Sequence, residues 1–163
     1  MNKYQRKLAS DLANGRITPE NFLKELGTHE APEKISLKIL EEAFRERSAA
    51  DVEYGLGVGF KLGISSEYKE LLQRLFDAQW HHSHEDVISA LDTLRDPELV
   101  DVFYTATQVI PTYLKFDENR ALAMKAIWAL GRIGTDKAHR KLREISTSPI
   151  SRLRSAALEQ LER

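Results

Sequence analysis

The sequence predicts an all-α chain built as a stacked-helix solenoid, and three observations carry that prediction. Leu122-Ala123-Met124-Lys125-Ala126-Ile127-Trp128-Ala129-Leu130 is followed 31 residues later by Leu153-Arg154-Ser155-Ala156-Ala157-Leu158-Glu159-Gln160-Leu161. Leu26, Leu62, Leu94, Leu130 and Leu161 fall 36, 32, 36 and 31 residues apart, which leaves room each time for two helices and two short turns. Between them, apolar residues recur at a helical period, and Gly, Pro or capping residues break the chain at short intervals. Helix pairs repeating at such an interval bury their apolar faces only against neighbouring pairs. About five helical hairpins account for nearly the whole chain, expected as one repeat domain over residues 1–163.

In chain order, residues 2–14 place Tyr4, Leu8 and Leu12 on one helical face, ending at Asn14-Gly15. Thr18-Pro19-Glu20-Asn21 supplies a cap and a first-turn proline ahead of Phe22, Leu23 and Leu26, and Gly27 ends that helix. Ile35, Ile39, Leu40, Ala43 and Phe44 stripe a longer helix to about residue 46. The segment 49–62 is unorthodox because Gly55, Gly57 and Gly59 each weaken a helix by about 0.8–1 kcal/mol relative to Ala. A strand competes there, but Leu62-Gly63-Ile64-Ser65-Ser66 reads as helix end, turn and new cap, and the glycines then let helix backbones approach closely. Residues 66–79, 83–94 and 96–110 follow as helices, with Ser83 and Asp96-Pro97 as starts and Pro111 as a stop. Tyr113 to Glu118 is a longer loop. The last three helices are expected near 118–130, 135–145 and 150–162, with Gly131 and Gly134 bracketing one turn and Ser146-Thr147-Ser148-Pro149 forming the next.

The chain has 24 Lys+Arg against 25 Asp+Glu, so no whole-molecule field draws it to phosphate or anionic lipid. Cys is absent, which excludes a disulfide scaffold, a thiolate nucleophile and Cys-bearing zinc sites. No stretch approaches a membrane span, and the first residues turn polar too soon for a secretory apolar segment, so the cytoplasm is the expected location.

Ala126-Ile127, Ala129-Leu130-Gly131 and Ile133-Gly134, then Leu153-Arg154, Ala157-Leu158 and Leu161, resemble the HEAT-repeat and related armadillo-like family. Leu122-Ala123 stands where that family usually has Val-Arg, and Gln160 where it has a small residue. Asp96-Pro97 resembles the opening of a unit and Leu62-Gly63 the end of one. The resemblance implies a right-handed α–α superhelix whose second helices, around 50–62, 84–94, 118–130 and 151–162, line a concave binding face.

Catalytic chemistry is not legible. Trp80-His81-His82-Ser83-His84-Glu85-Asp86 is the most conspicuous polar cluster, but adjacent imidazoles diverge on a helix and there is no HExxH, so a polar helix junction is expected rather than a metal site. Glu41, Glu42 and Glu46, or Asp92 with Asp96, fit a solvated face better than an acid/base pair. Gly55-x-Gly57-x-Gly59 lacks the spacing and setting of a dinucleotide fingerprint. No cofactor, metal or small-molecule substrate is expected.

Protein contact is the favoured role, because Trp and Tyr bury large area with little rotamer loss. Trp128 occupies the variable position between Ala-Ile and Ala-Leu, and the candidate contact residues are Trp80, His84, Asp92, Tyr113, Trp128 and Glu159. The expectation is a non-enzymatic protein-binding module. By resemblance to small HEAT-like immunity proteins, the narrower expectation is an inhibitor of a bacterial toxin. The alternative is a HEAT-like nucleic-acid-binding protein or DNA glycosylase, suggested by Arg132, Lys137, His139, Arg140, Lys141, Arg143, Arg152 and Arg154.

Overall fold

Short capping signals set most of the observed boundaries. Asn2 and Gln5 form a reciprocal capping box at the start of α1 (Lys3–Ala13). Thr18 accepts the Asn21 amide and Pro19 opens α2 (Pro19–Leu26), which ends on left-handed Gly27. Then follow α3 (Pro32–Glu46), α4 (Ala49–Leu62), α5 (Lys69–Asp77), α6 (His84–Thr93), α7 (Val100–Gln108), α8 (Ala121–Ile133), α9 (Asp136–Ile145) and α10 (Ser151–Leu161). The computed structural model describes residues 1–163, and its regular elements are these ten α-helices and three short 3₁₀ turns. The fold is all-α, with none of the strand that competed for residues 49–62.

Several boundaries differ from the sequence expectation: the segments expected to open helices at 66 and 96 begin with 3₁₀ turns, Ser66–Tyr68 and Pro97–Leu99, ahead of α5 and α7. Helix α7 stops at Gln108 because Ile110 precedes Pro111, which disfavours α conformation, and Val109 is already extended. Helix α8 begins at Ala121, not 118, since Arg120 sits at φ 54° and Asp117 accepts the Asn119 and Ala121 amides. The expected loop at 113–118 contains a 3₁₀ turn, Thr112–Leu114. Helix α8 also runs through Gly131 to Ile133 and ends on left-handed Gly134.

The helices cluster into two compact units, Met1–Ala90 and Leu91–Arg163, dividing within α6. In the first, α4 packs against both α1 and α3. A Cβ on Gly55 would lie 2.7 Å from Leu40 Cδ2, one on Gly59 2.7 Å from Ser36 Oγ, and one on Gly57 3.2 Å from Ala13 Cβ. The glycines therefore serve two approaches at once: Gly55 and Gly59 admit α3, and Gly57 admits α1. Ser36 Oγ uses the proximity to donate to the Gly55 carbonyl at 2.7 Å. Leu8, Leu12, Phe22, Ile35 and Val58 form the adjoining core. Buried Asp51 accepts from the Met1 ammonium at 2.9 Å and from Arg6 Nε at 2.7 Å.

In the second unit α8 touches α7, α9 and α10. Ala123, Ala126 and Ala129 are buried along it, and Leu122, Ile127 and Leu130 fill the space beside them. Small residues let neighbouring helices come close, and the large ones restore packing density. Gly131 belongs to the same contact, because a Cβ there would sit 2.1 Å from Oε1 of buried Gln160 on α10.

Candidate interaction surface

With its apolar stripe buried, α8 leaves Lys125, Trp128 and Arg132 on a line of i, i+3 and i+7. Each finds a different environment. Arg132 forks onto Asp92 near the end of α6, with Nε 3.1 Å from Oδ1 and its terminal nitrogen on Oδ2. Arg95 adds a third donor to Asp92 at 3.2 Å. Trp128 is half-buried, and the Arg163 guanidinium lies 4.6 Å from its ring centroid. Arg163 also reaches Glu159 at 3.3 Å, one turn earlier on α10.

The result is a ladder within the second unit: Asp92, then Arg132 and Trp128, then Arg163 and Glu159. Asp92, the Arg132–Trp128 pair and Glu159 stand on α6, α8 and α10, and Arg163 follows the end of α10. Two carboxylates, three guanidinium groups and one indole share a surface that is charged in both signs. A cation over an indole face is worth about 0.5–1 kcal/mol at an exposed site.

Of the six predicted contact residues, the structure brings Asp92, Trp128 and Glu159 into this ladder. Tyr113 is half-buried in the 3₁₀ turn ahead of α8. Trp80 is half-buried in the first unit, edge-on to Phe44 at 5.9 Å and to His81 at 5.2 Å. His84 requires correction: it is 1% exposed and its Nε2 faces the Ala78 carbonyl at 2.8 Å, leaving no surface for a partner. Its ring stacks on that of buried His81 at 4.5 Å. His81 Nδ1 accepts the Ser83 amide, so its Nε2–H donates to the Leu75 carbonyl. Burial pushes both imidazoles down, His84 to about 4 with a further push from His81. This is the polar helix junction that the adjacent histidines suggested.

Sequence reasoning missed Arg163 and assigned Arg132 to a basic strip. Spacing carried a signal for Arg163, since Glu159 to Arg163 is an i,i+4 pair, whereas the partner of Arg132 lies 40 residues earlier and no local spacing shows it.

A family model described as HEAT repeats matches residues 68–162. The chain belongs to the HEAT-repeat family. Neither the curated proteins nor the solved structures compared with it give a match. The HEAT match takes in α5 to α10, so the ladder lies wholly on HEAT helices except for Arg163, one residue beyond it. Helices α1 to α4 lie before the match. HEAT repeats are commonly protein-interaction modules, and no helix here is long and apolar enough to cross a membrane.

Proposed function

We propose that this chain is a non-enzymatic protein-binding module whose contact face is the ladder on α6, α8 and α10. The observation that carries the reading is Trp128: a large aromatic at the variable position of a HEAT helix, held half-open under Arg163 between paired charges. Aromatic and Arg side chains are the residue types on which interface energy concentrates, while flanking mixed charge sets orientation and excludes wrong partners. Inhibition of a toxin is the narrower form of the same proposal: a small binder covers a partner's active site by shape and charge.

Pairing within the chain weighs against the nucleic-acid alternative. Arg132 is held by Asp92, Lys137 by Asp101, Lys141 by Glu144, and Arg154 donates to the Ser148 carbonyl, which leaves Arg140, Arg143 and Arg152 as the unpaired arginines of that strip. Phosphate binding depends on cations free to displace counterions.

Affinity capture from native extract, run in parallel with the natural chain and Trp128→Ala, tests the proposal. The expected result is a protein retained by the natural chain and lost from the variant, with unchanged far-UV circular dichroism. A folded Trp128→Ala that keeps every partner at equal affinity refutes it. Recovery of nucleic acid alone, with steep salt dependence, transfers support to the alternative.

A further inference from the structure

A second charged feature lies on α1, in the first unit and outside the HEAT match. Lys3, Arg6 and Lys7 share one face of α1, and Arg16 returns toward that face from the following turn. With Asp11, and with half-buried Tyr54 of α4, they line an open groove of about 410 Å³.

The charges there do not balance. Asp11 is shared by Lys7 at 2.8 Å and Arg16 at 3.3 Å. Asp51 is shared by Arg6 and the Met1 ammonium, and Lys3 makes no ion pair. Four cationic side chains thus face two carboxylates, one of which is already satisfied by the ammonium. Arg6 spends only Nε on Asp51, so its two terminal nitrogens remain as donors toward the groove.

We propose that this groove docks an acidic segment of a protein partner, through carboxylates spaced along α1. Two features favour that occupant over a nucleic acid. The surrounding unit, Met1–Ala90, carries 12 Lys+Arg against 15 Asp+Glu, so its total charge is opposite to the groove's. A long polyanion running on beyond the groove meets that repulsion, whereas a short acidic segment feels mainly charges within one Debye length, about 8 Å in physiological salt. The groove also offers one aromatic ring where single-stranded nucleic acid uses a series of them to stack successive bases. Lys3, Arg6 and Lys7 span just over one turn and Arg16 joins at Asp11 a further turn on, so the cations are spread along α1 instead of converging, which suits successive side-chain carboxylates.

The test uses the full chain and fluorescence anisotropy with three labelled probes: a polyglutamate peptide, an uncharged Ser/Gln peptide and a single-stranded oligonucleotide. Polyglutamate is expected to bind saturably, to weaken as salt rises, and to bind more tightly than either other probe. Lys3→Glu, which disturbs no internal ion pair, is expected to weaken it about tenfold, and Lys3→Glu with Lys7→Glu further still. Arg143→Glu, an exposed cation on α9, serves as the control and is expected to leave binding unchanged. Absence of saturable polyglutamate binding, tighter binding of the oligonucleotide, or an equal loss in Arg143→Glu overturns the proposal. If the double variant fails a circular dichroism check, Lys3→Glu alone decides.

Discussion

Substituting Gly55 by Ala separates two physical effects of opposite sign. Helix propensity alone makes the variant more stable by about 0.8–1 kcal/mol, since an interior helical Gly is replaced by the best helix former. Packing says otherwise. The new Cβ would lie 2.7 Å from Leu40 Cδ2, 2.9 Å from Leu40 Cγ and 3.0 Å from Ile39 Cγ2. Comfortable carbon–carbon contact begins near ~3.5 Å, so α3 and α4 must separate or Leu40 must leave its rotamer. Leu40 is 1% exposed and has no solvent to move into. Overpacking of this kind costs about 1–3 kcal/mol. Separation of the helices also stretches the Ser36 to Gly55 hydrogen bond, whose net worth is about 0.5–1.5 kcal/mol. The balance is a net destabilisation of about 1–3 kcal/mol, read as a lower urea midpoint at unchanged slope. Gly57→Ala provides the comparison: its Cβ would be 3.2 Å from the Ala13 methyl, a displacement of tenths of an ångström that offsets the propensity gain of about 0.8–1 kcal/mol only in part, so stability at or above that of the natural chain is expected. A Gly55→Ala variant as stable as the natural chain, or more so, refutes the close-approach argument.

Asp51→Asn is expected to destabilise the chain by about 1.5–3 kcal/mol in the same assay, because it removes the buried charge to which the Met1 ammonium and the partly exposed Arg6 both donate. Burial opposes ionisation of Asp51, but the bonds from Arg6 and the ammonium outweigh it and hold the carboxyl below its ordinary value. That contribution is present above about pH 4 and lost below it as the folded carboxyl protonates. The histidine pair acts at higher pH. His84 stays neutral in the fold down to about 4, whereas the unfolded imidazole protonates below about 6.5, so stability is full above 6.5 and falls between 6.5 and 4 by about 3 kcal/mol. A urea series across that range measures the fall, and in His84→Gln the slope is expected to shrink. An unchanged slope refutes the assignment to His84.

Much of the fold was legible because local signals and packing agreed. Thr18-Pro19 and Gly27, the Leu62-Gly63 end and the terminal Leu and Ala patterns all point to the helices that form. Where boundaries were missed, the deciding partner was distant or conformational. Gly131 reads as a helix stop until Gln160, 29 residues later, is seen occupying the space a side chain would need. Arg120 is unremarkable as a residue type, yet its left-handed backbone at φ 54° delays α8 until Ala121. The basic groove was legible in principle through Lys3, Arg6 and Lys7, but Arg16 joins it only because the chain turns back onto Asp11.

The ladder shows why a proposed contact face is harder to read than a core. A core position is announced by its own apolarity and period, so Leu130 and Ala126 are recognisable singly. A surface position takes its meaning from its neighbour. His84 and Trp128 look equally promising as residue types, yet one imidazole is shut against Ala78 and His81 while the indole remains half-open beneath Arg163. Arg132 looked like part of a phosphate-binding strip until Asp92, 40 residues earlier, was seen to claim it in the paired geometry that Arg and carboxylate favour. That pairing changes the chemistry on offer: an unclaimed Arg attracts any anion, whereas Arg132 yields to a partner carboxylate that replaces Asp92, which keeps Arg95. Displacing Arg163 asks in addition for a cation to serve Glu159 and the Trp128 face. A surface that must be matched in both signs at once is selective by construction, which is why the ladder fits recognition of a defined protein surface better than capture of a uniform polyanion.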